Sequence, residues 1–214
     1  MLDLSQWVSQ LADKRGRRVI FLSHCLLNEN TRYLGGACRA GAVEEIVQPC
    51  LDAGLGIVQM RCPEQIAWGG ILKRRLLKFS GSKGFLIDRL GPLLRPLFIG
   101  YTRHVYRKLA KQVAGEIEDY VSSGFSVAGI VGVDGSPSCG VCRTINIPRS
   151  LEQAAGMSGN ARVEDINQIV LNCLVEGQGI FVELLQSELA RRKLNVRFMA
   201  HDLTAELRGE LVPL

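Results

Sequence analysis

The sequence lacks the features of a membrane, secreted or repetitive protein. No part of its 214 residues approaches the ~18 uninterrupted apolar residues that a membrane helix needs. Residues 2–18 mix charged and apolar side chains, unlike a signal peptide, and we find no internal repeat or low-complexity linker. We therefore expect a single cytoplasmic domain over residues 1–214. Its composition, 47% hydrophobic and 22% charged, is sufficient for a substantial core.

A disulfide framework is also not indicated by the cysteine content. The chain has seven cysteines, an odd number that cannot pair completely. In a reducing cytoplasm such thiols stay free, which favours metal-binding or catalytic cysteines.

Acidic residues are nearly absent from one segment. Residues 70–111 contain eleven Lys or Arg and one acid, Asp88, although the whole chain carries a net charge of only +5. Within this segment, Pro92 and Pro96 predict a turn-interrupted apolar stretch over residues 90–99. We predict a basic and apolar insertion at about residues 70–104. The sequence leaves open whether it is a solvated face, a lid, a subunit contact, a lipid-surface element or a phosphate-binding surface.

Strands and helices are predicted to alternate along the chain. Apolar runs of strand length occupy residues 17–23, 55–60, 127–133 and 195–200. Helical patterns occupy residues 5–14, 40–53, 101–122 and 163–192, the last with a weak point at Gly177-Gln178-Gly179. This order predicts an α/β fold, a Rossmann-like or flavodoxin-like three-layer domain with a four- or five-stranded, mainly parallel sheet.

Three cysteines follow the predicted strands at their carboxyl ends. They are Cys25, Cys62 and Cys139, and the fourth strand ends near His201-Asp202. The carboxyl ends of parallel strands open onto one crevice, so these residues are expected to converge there. Any one cysteine could be a small buried apolar residue, but three together suggest a metal site with an open coordination position. Three thiolates and a water on zinc are an alternative.

Four motifs in a fixed order carry a family resemblance across residues 17–143. They are Ser23-His24-Cys25-Leu26-Leu27, Arg32-Tyr33-Leu34-Gly35-Gly36, Cys62-Pro63-Glu64 with Gly69-Gly70, and Ser136-Pro137-Ser138-Cys139-Gly140. The combination resembles the 2-thiouracil desulfurase family. The resemblance implies a cytoplasmic iron-sulfur desulfidase, in which a 4Fe-4S cluster held by three cysteines has one open iron. That iron takes sulfur from a thiolated nucleobase or similar small substrate, and the sulfur is released as sulfide.

The resemblance also assigns roles to individual residues. The cluster ligands would be Cys25, Cys62 and Cys139, and Glu64 would carry a proton or activate water. For Glu64 the alternative is a surface carboxylate at the start of a helix. Ser136 would contact substrate, together with Ser138 of the same motif. His24 and Asn28 replace a small residue and a glycine of the family pattern, and Thr31 replaces a second cysteine. His24 and Asn28 therefore add polar groups beside the expected substrate cavity.

Other interpretations remain open for several residues. Cys139 and Cys142 form a CxxC element, so a thiol-disulfide oxidoreductase is an alternative, and Cys142 could instead be a spare ligand or a cap on the open iron. His201 could orient substrate or be a structural histidine.

Another alternative for the whole protein is a basic nucleic-acid-binding accessory protein with a structural metal. Its base-stacking residues would be Phe79, Phe85, Phe98, Tyr101 and Tyr106. We expect the remaining cysteines to be packing residues, namely Cys38, Cys50 and Cys173.

Overall fold

The computed structural model describes residues 14–75, 85–155 and 163–210, together with Gln6, Ser9 and Gln10. The N-terminal helix predicted over residues 5–14 lies almost wholly outside these ranges, as do residues 76–84 of the predicted insertion. None of the described helices combines the length and the apolar character needed to cross a membrane.

A four-stranded parallel sheet forms the centre of the fold. The six strands of the described chain, in order, are β1 (Arg18–Ser23), β2 (Gly56–Met60), β3 (Ser126–Asp134), β4 (Arg143–Ile145), β5 (Leu174–Glu176) and β6 (Phe198–Asp202). The central sheet has the order β2-β1-β3-β6 with every neighbouring pair parallel, while β4 and β5 form a separate antiparallel pair. The first three predicted strands are confirmed to within one residue at each end.

Helices cover both faces of this sheet. They are α1 (His24–Leu27), α2 (Glu44–Asp52), α3 (Pro63–Trp68), α4 (Phe85–Ser122), α5 (Ile147–Ala155), α6 (Val163–Asn172), α7 (Ile180–Arg191) and α8 (Leu203–Leu207). One face of the sheet, including Phe21 and Ile130, packs against α4 and α7. The opposite face, including Leu22 and Val131, packs against α2 and the residues that follow β1. The predicted three-layer α/β fold is therefore confirmed.

The strand order places a topological switch point beside β1. The chain leaves β1 to form β2 on one side and later returns to form β3 on the other side. In open parallel sheets, ligands bind at the carboxyl ends of the strands where the order reverses in this way. Residues that follow β1 and β3 are thus the ones most exposed to a bound ligand.

One helix prediction and one turn prediction are wrong. The pattern over residues 163–192 is split into α6, β5 and α7, because β5 pairs with β4 and Gly177 adopts a φ of +129°. The apolar stretch around Pro92 and Pro96 is not interrupted by turns, since α4 runs continuously for 38 residues. Each proline removes one backbone hydrogen bond, and the propagating helix on both sides tolerates that loss.

Smaller differences concern element ends and one additional helix. The second predicted helix begins at Glu44 rather than at residue 40, and α5 was not predicted. Strand β6 begins three residues later than predicted and includes His201 and Asp202 as its last two residues. His201 is therefore a buried strand residue, 1% exposed, and does not follow the strand.

Candidate functional site

The three predicted cysteine ligands lie on three loops at the carboxyl edge of the sheet. Cys25 is in α1 directly after β1, Cys62 directly precedes α3, and Cys139 lies in the loop between β3 and β4. Burial is the main cause of the raised pKa of Cys139 and of Cys62. The charges of Cys25 and Cys62 raise the pKa of Cys139 further, and those of Glu64 and Cys25 raise that of Cys62, which indicates that the three side chains lie near one another. The fold therefore gathers these thiols at one site.

Backbone contacts fix the loop that carries Cys139. The first N–H groups of α7 donate to this loop: Ile180 to the carbonyl of Pro137 at 3.1 Å, and Phe181 to that of Ser138 at 3.1 Å. The approach is so close that a Cβ on Gly179 would lie 2.4 Å from the Ser138 carbonyl oxygen. Only glycine fits there, so the start of α7 holds Ser138 and Cys139 in place.

The sequence Cys62-Pro63-Glu64 begins α3. Cys62 is the N-cap residue, and its sulfur accepts a hydrogen bond from the Gln65 N–H at 3.4 Å. Pro63 occupies the first helical turn, where its missing N–H costs nothing. This geometry places Glu64 in the first turn of the helix, directed at the loop after β3.

Glu64 is held there by two serines and a lysine. Its Oε1 accepts hydrogen bonds from Ser138 Oγ at 2.7 Å and from Ser136 Oγ at 3.3 Å. Its Oε2 lies 3.3 Å from Lys73 Nζ, which also donates to the Thr31 carbonyl at 3.1 Å. Ser136 Oγ in turn accepts from the Cys139 N–H at 3.1 Å. The carboxylate of Glu64 is therefore connected to the loops of two of the thiols.

Burial governs the protonation of the three thiols. It raises the pKa of Cys62 to about 12 and that of Cys139 well above its ordinary value. It also raises the pKa of Cys25, against which the Arg32 guanidinium acts in the opposite direction. Without a bound cation the thiols are thus protonated at neutral pH, and a bound cation would be needed to hold them as thiolates. Within the described residues, no group of three His, Cys, Asp or Glu side chains is arranged to hold a metal ion.

A buried ion network next to Cys25 was not foreseen from the sequence. Arg32 Nη1 lies 2.6 Å from Glu206 Oε2, and Arg32 Nη2 lies 3.2 Å from Glu29 Oε1. Arg39 pairs with both glutamates, and His201 Nε2 lies 2.8 Å from Glu206 Oε1. Residue types alone do not reveal pairs that are 174 positions apart. The network fixes Arg32 beside the site and gives His201 a structural partner.

Tyr106 of α4 also reaches the site, which the sequence did not indicate. Its side chain is fully buried, and its hydroxyl has no hydrogen-bond partner among the residues that the structure describes. Burial, and then the Glu64 carboxylate, raise the pKa of Tyr106 well above its ordinary value, so the phenol stays protonated. The expectation that Tyr106 stacks on nucleic-acid bases is wrong, because the ring has no exposed face.

The remaining sequence candidates have mixed outcomes. His24 is half-buried, and burial lowers its pKa, so it is neutral near pH 7. Asn28 caps a short turn by accepting a hydrogen bond from the Asn30 N–H at 3.2 Å, which gives its side chain a local role.

Cys142 is exposed. Cys38 is also exposed, so the prediction that it packs in the core is wrong; its loop crosses the surface.

Cys50 and Cys173 are buried, as predicted. All seven cysteines lie within the described residues, and all are free thiols.

One relative was found by sequence comparison. The chain is 25% identical over 133 residues to the Uncharacterized protein MJ0003 of Methanocaldococcus jannaschii, a match that covers 62% of this chain and 74% of that protein. No family model and no solved structure matches the chain. Arguments about function therefore depend on the residues at the carboxyl edge of the sheet.

Proposed function

We propose that this protein is a desulfidase that removes sulfur from a thiolated nucleobase or a similar small thio-compound and releases it as sulfide. One observation carries the proposal: three mutually interacting thiols lie beside a carboxylate that two serines and a lysine hold in place. The motif resemblance to 2-thiouracil desulfurases agrees with this arrangement. A reducing cytoplasm suits seven free thiols, and we propose that location.

The donor set fits a 4Fe-4S cluster bound by Cys25, Cys62 and Cys139. Thiolates are the usual ligands of such clusters, and buried thiols with raised pKa values need a bound cation to lose their protons. A single tetrahedral zinc would require sulfur atoms about 3.8 Å apart, and the described residues contain no group of three ligands that could hold one metal ion. In a cluster each sulfur binds a different iron, so its three ligands need not share one ion. When bound, a cluster with three protein ligands would supply one iron as a Lewis acid for a soft thiocarbonyl sulfur.

The residues of the chain would then provide the proton chemistry. The net reaction is the hydrolysis of a thiocarbonyl by water to a carbonyl and hydrogen sulfide, so no external electron donor is needed. Water forms the new C–O bond while the C–S bond breaks, and Glu64 passes the two protons of the water, one after the other, to the departing sulfur. Ser138 and Lys73 keep the carboxylate aimed at the site, since they bind its two different oxygens.

Anaerobic purification tests the proposal. We expect a brown protein with about four irons per chain that releases sulfide from thiolated pyrimidines. Cys62→Ser should lose the colour and the iron, whereas Cys38→Ser, which changes an exposed cysteine, should keep both. A colourless wild-type protein that carries zinc after anaerobic purification would contradict the proposal.

The oxidoreductase alternative is weaker because Cys139 is buried and its pKa is raised. A redox-active cysteine needs the opposite, a lowered pKa and access to its partner thiol. Exposed Cys142 alone does not supply a disulfide exchange site.

Nucleic-acid binding remains a second candidate because α4 exposes Arg107, Lys108 and Lys111. Tyr101 is also exposed and accepts a hydrogen bond from Arg75 at 2.9 Å. Binding to RNA that weakens steeply with salt and survives Cys25→Ser would favour this candidate. Sulfide release that Cys25→Ser abolishes would favour the desulfidase.

A further inference from the structure

The Tyr106 hydroxyl is a buried polar group without a partner. Tyr106 is 0% exposed and packs beside Trp68, with ring centroids 6.4 Å apart. Within the described part of the chain, its hydroxyl makes no hydrogen bond of acceptable geometry. An unsatisfied buried hydroxyl destabilises a fold, and phenylalanine would fill the same volume without that cost. A hydroxyl in this position therefore indicates a partner outside the described residues, such as a bound molecule.

The surroundings of this hydroxyl identify the site it serves. The groups that shift its pKa, after burial itself, are Glu64, Cys139, Cys62 and Ser138. The Ser138 hydroxyl is close enough to lower that pKa, but it directs its own proton at Glu64 Oε1, 2.7 Å away, and forms no well-aligned bond with Tyr106. The Tyr106 O–H can thus donate a hydrogen bond to a bound molecule from the α4 side of the same site.

We propose that Tyr106 is a substrate-positioning residue whose hydroxyl donates a hydrogen bond to an acceptor atom of the bound molecule. This inference rests on the proposed function and narrows the substrate class. The substrate would carry, beside its thiocarbonyl group, a ring nitrogen or carbonyl oxygen able to accept this bond. Protonated phenol is a donor throughout the neutral range, and the carboxylate of Glu64 can only accept. Tyr106 and Glu64 would therefore recognise different atoms of the substrate.

The test compares Tyr106→Phe with Tyr120→Phe, a tyrosine of the same helix that contacts Phe21 and Phe125. Urea unfolding of the reduced, metal-free proteins comes first. We expect the midpoint of Tyr106→Phe to equal or exceed that of the wild type, because the removed hydroxyl had no partner. A lower midpoint for Tyr106→Phe, with ligand binding unchanged, would identify a structural hydrogen bond and overturn the proposal.

Binding and turnover are then measured on anaerobically reconstituted protein with 2-thiouracil, 2-thiouridine and uracil. Loss of one neutral hydrogen bond should raise the KM for the thio-compounds and the Kd for uracil about three- to tenfold. The kcat should change less than twofold, and the iron content should not change. Tyr120→Phe should match the wild type in all of these measurements.

The outcomes separate this inference from the proposed function. If the wild type releases no sulfide but binds uracil in a manner weakened by Tyr106→Phe, the desulfidase proposal fails and the positioning role stands. If sulfide is released and Tyr106→Phe changes neither KM nor Kd, the positioning role fails alone. A wild-type protein that binds none of the three compounds overturns both.

Discussion

Replacing Glu206 by glutamine should destabilise the protein strongly, because Glu206 joins the buried network beside Cys25. The side chain is 1% exposed and contacts Arg32 at 2.6 Å and His201 at 2.8 Å, in addition to Arg39. Glutamine keeps the shape and removes the charge. Arg32 would then be left in the interior with one of its two anionic partners missing.

The size of the effect follows from the pKa of Glu206. Burial alone would raise that pKa, but the hydrogen bond from His201 and the charge of Arg32 outweigh it and lower the pKa from 4.5 to about 2. At about 1.4 kcal/mol per pH unit, the lowered pKa corresponds to roughly 3 kcal/mol of folding free energy at neutral pH. Breaking other buried ion pairs costs a similar amount, about 3–5 kcal/mol.

Urea unfolding as a function of pH is the assay. Because the folded-state pKa is below the unfolded value, Glu206 contributes its full stability above about pH 5 and loses it as the pH falls toward 2. The difference between wild type and Glu206→Gln should therefore be largest at pH 7 and shrink on acidification. Glu183→Gln is the control, because Glu183 pairs with Arg103 at 2.8 Å on the surface and should lose less than about 1 kcal/mol.

Two results would refute this reasoning. A loss in Glu206→Gln no larger than that in Glu183→Gln would show that the buried network does not stabilise the fold. A large loss that stays constant between pH 7 and pH 3 would show that packing, rather than the charge of Glu206, is responsible.

Three further predictions concern the site itself. Gly179→Ala should lower the free energy of unfolding by about 1–3 kcal/mol and weaken cofactor retention, because the added Cβ would lie 2.4 Å from the Ser138 carbonyl oxygen. The control is Gly41→Ala, whose added Cβ would have no atom within 4 Å and should change neither property. Urea unfolding and iron analysis compare the two variants. Glu64→Gln should keep the colour and iron but lower kcat about 10²-fold or more, and full turnover would remove Glu64 from the mechanism. Cys62→Ser should abolish iron binding in anaerobic iron and sulfide analysis, and retention of four irons would exclude Cys62 as a ligand.

The two central strands, β1 and β3, could be predicted because most of their residues are buried and they read as continuous apolar runs. Residues 19–23 of β1 are all buried, and such runs mark parallel strands between helical layers. The split of residues 163–192 could not be predicted in the same way. The pairing of β5 with β4 is a tertiary contact, and it overrides a helical pattern that is only local.

The cysteines of the site could be located from the sequence because strand ends are predictable and the motifs fall there. The residues around them could not. Tyr106 is one tyrosine within a long helical pattern, and only the packing of α4 against α3 brings it to Glu64. Likewise, Arg32 gives no indication in the sequence that its anionic partner is Glu206. Such contacts depend on the finished tertiary structure.

The long separation between Arg32 and Glu206 has a consequence for biogenesis. The guanidinium beside Cys25 obtains one of its two carboxylate partners only after β6 and α8 have been synthesised and have docked. A nascent chain that already carries all three cysteines still lacks the ion pair between Arg32 and Glu206. Under the proposed function, we expect insertion of iron to follow the completion of translation, and we expect a polypeptide that stops before residue 198 not to retain the proposed cluster.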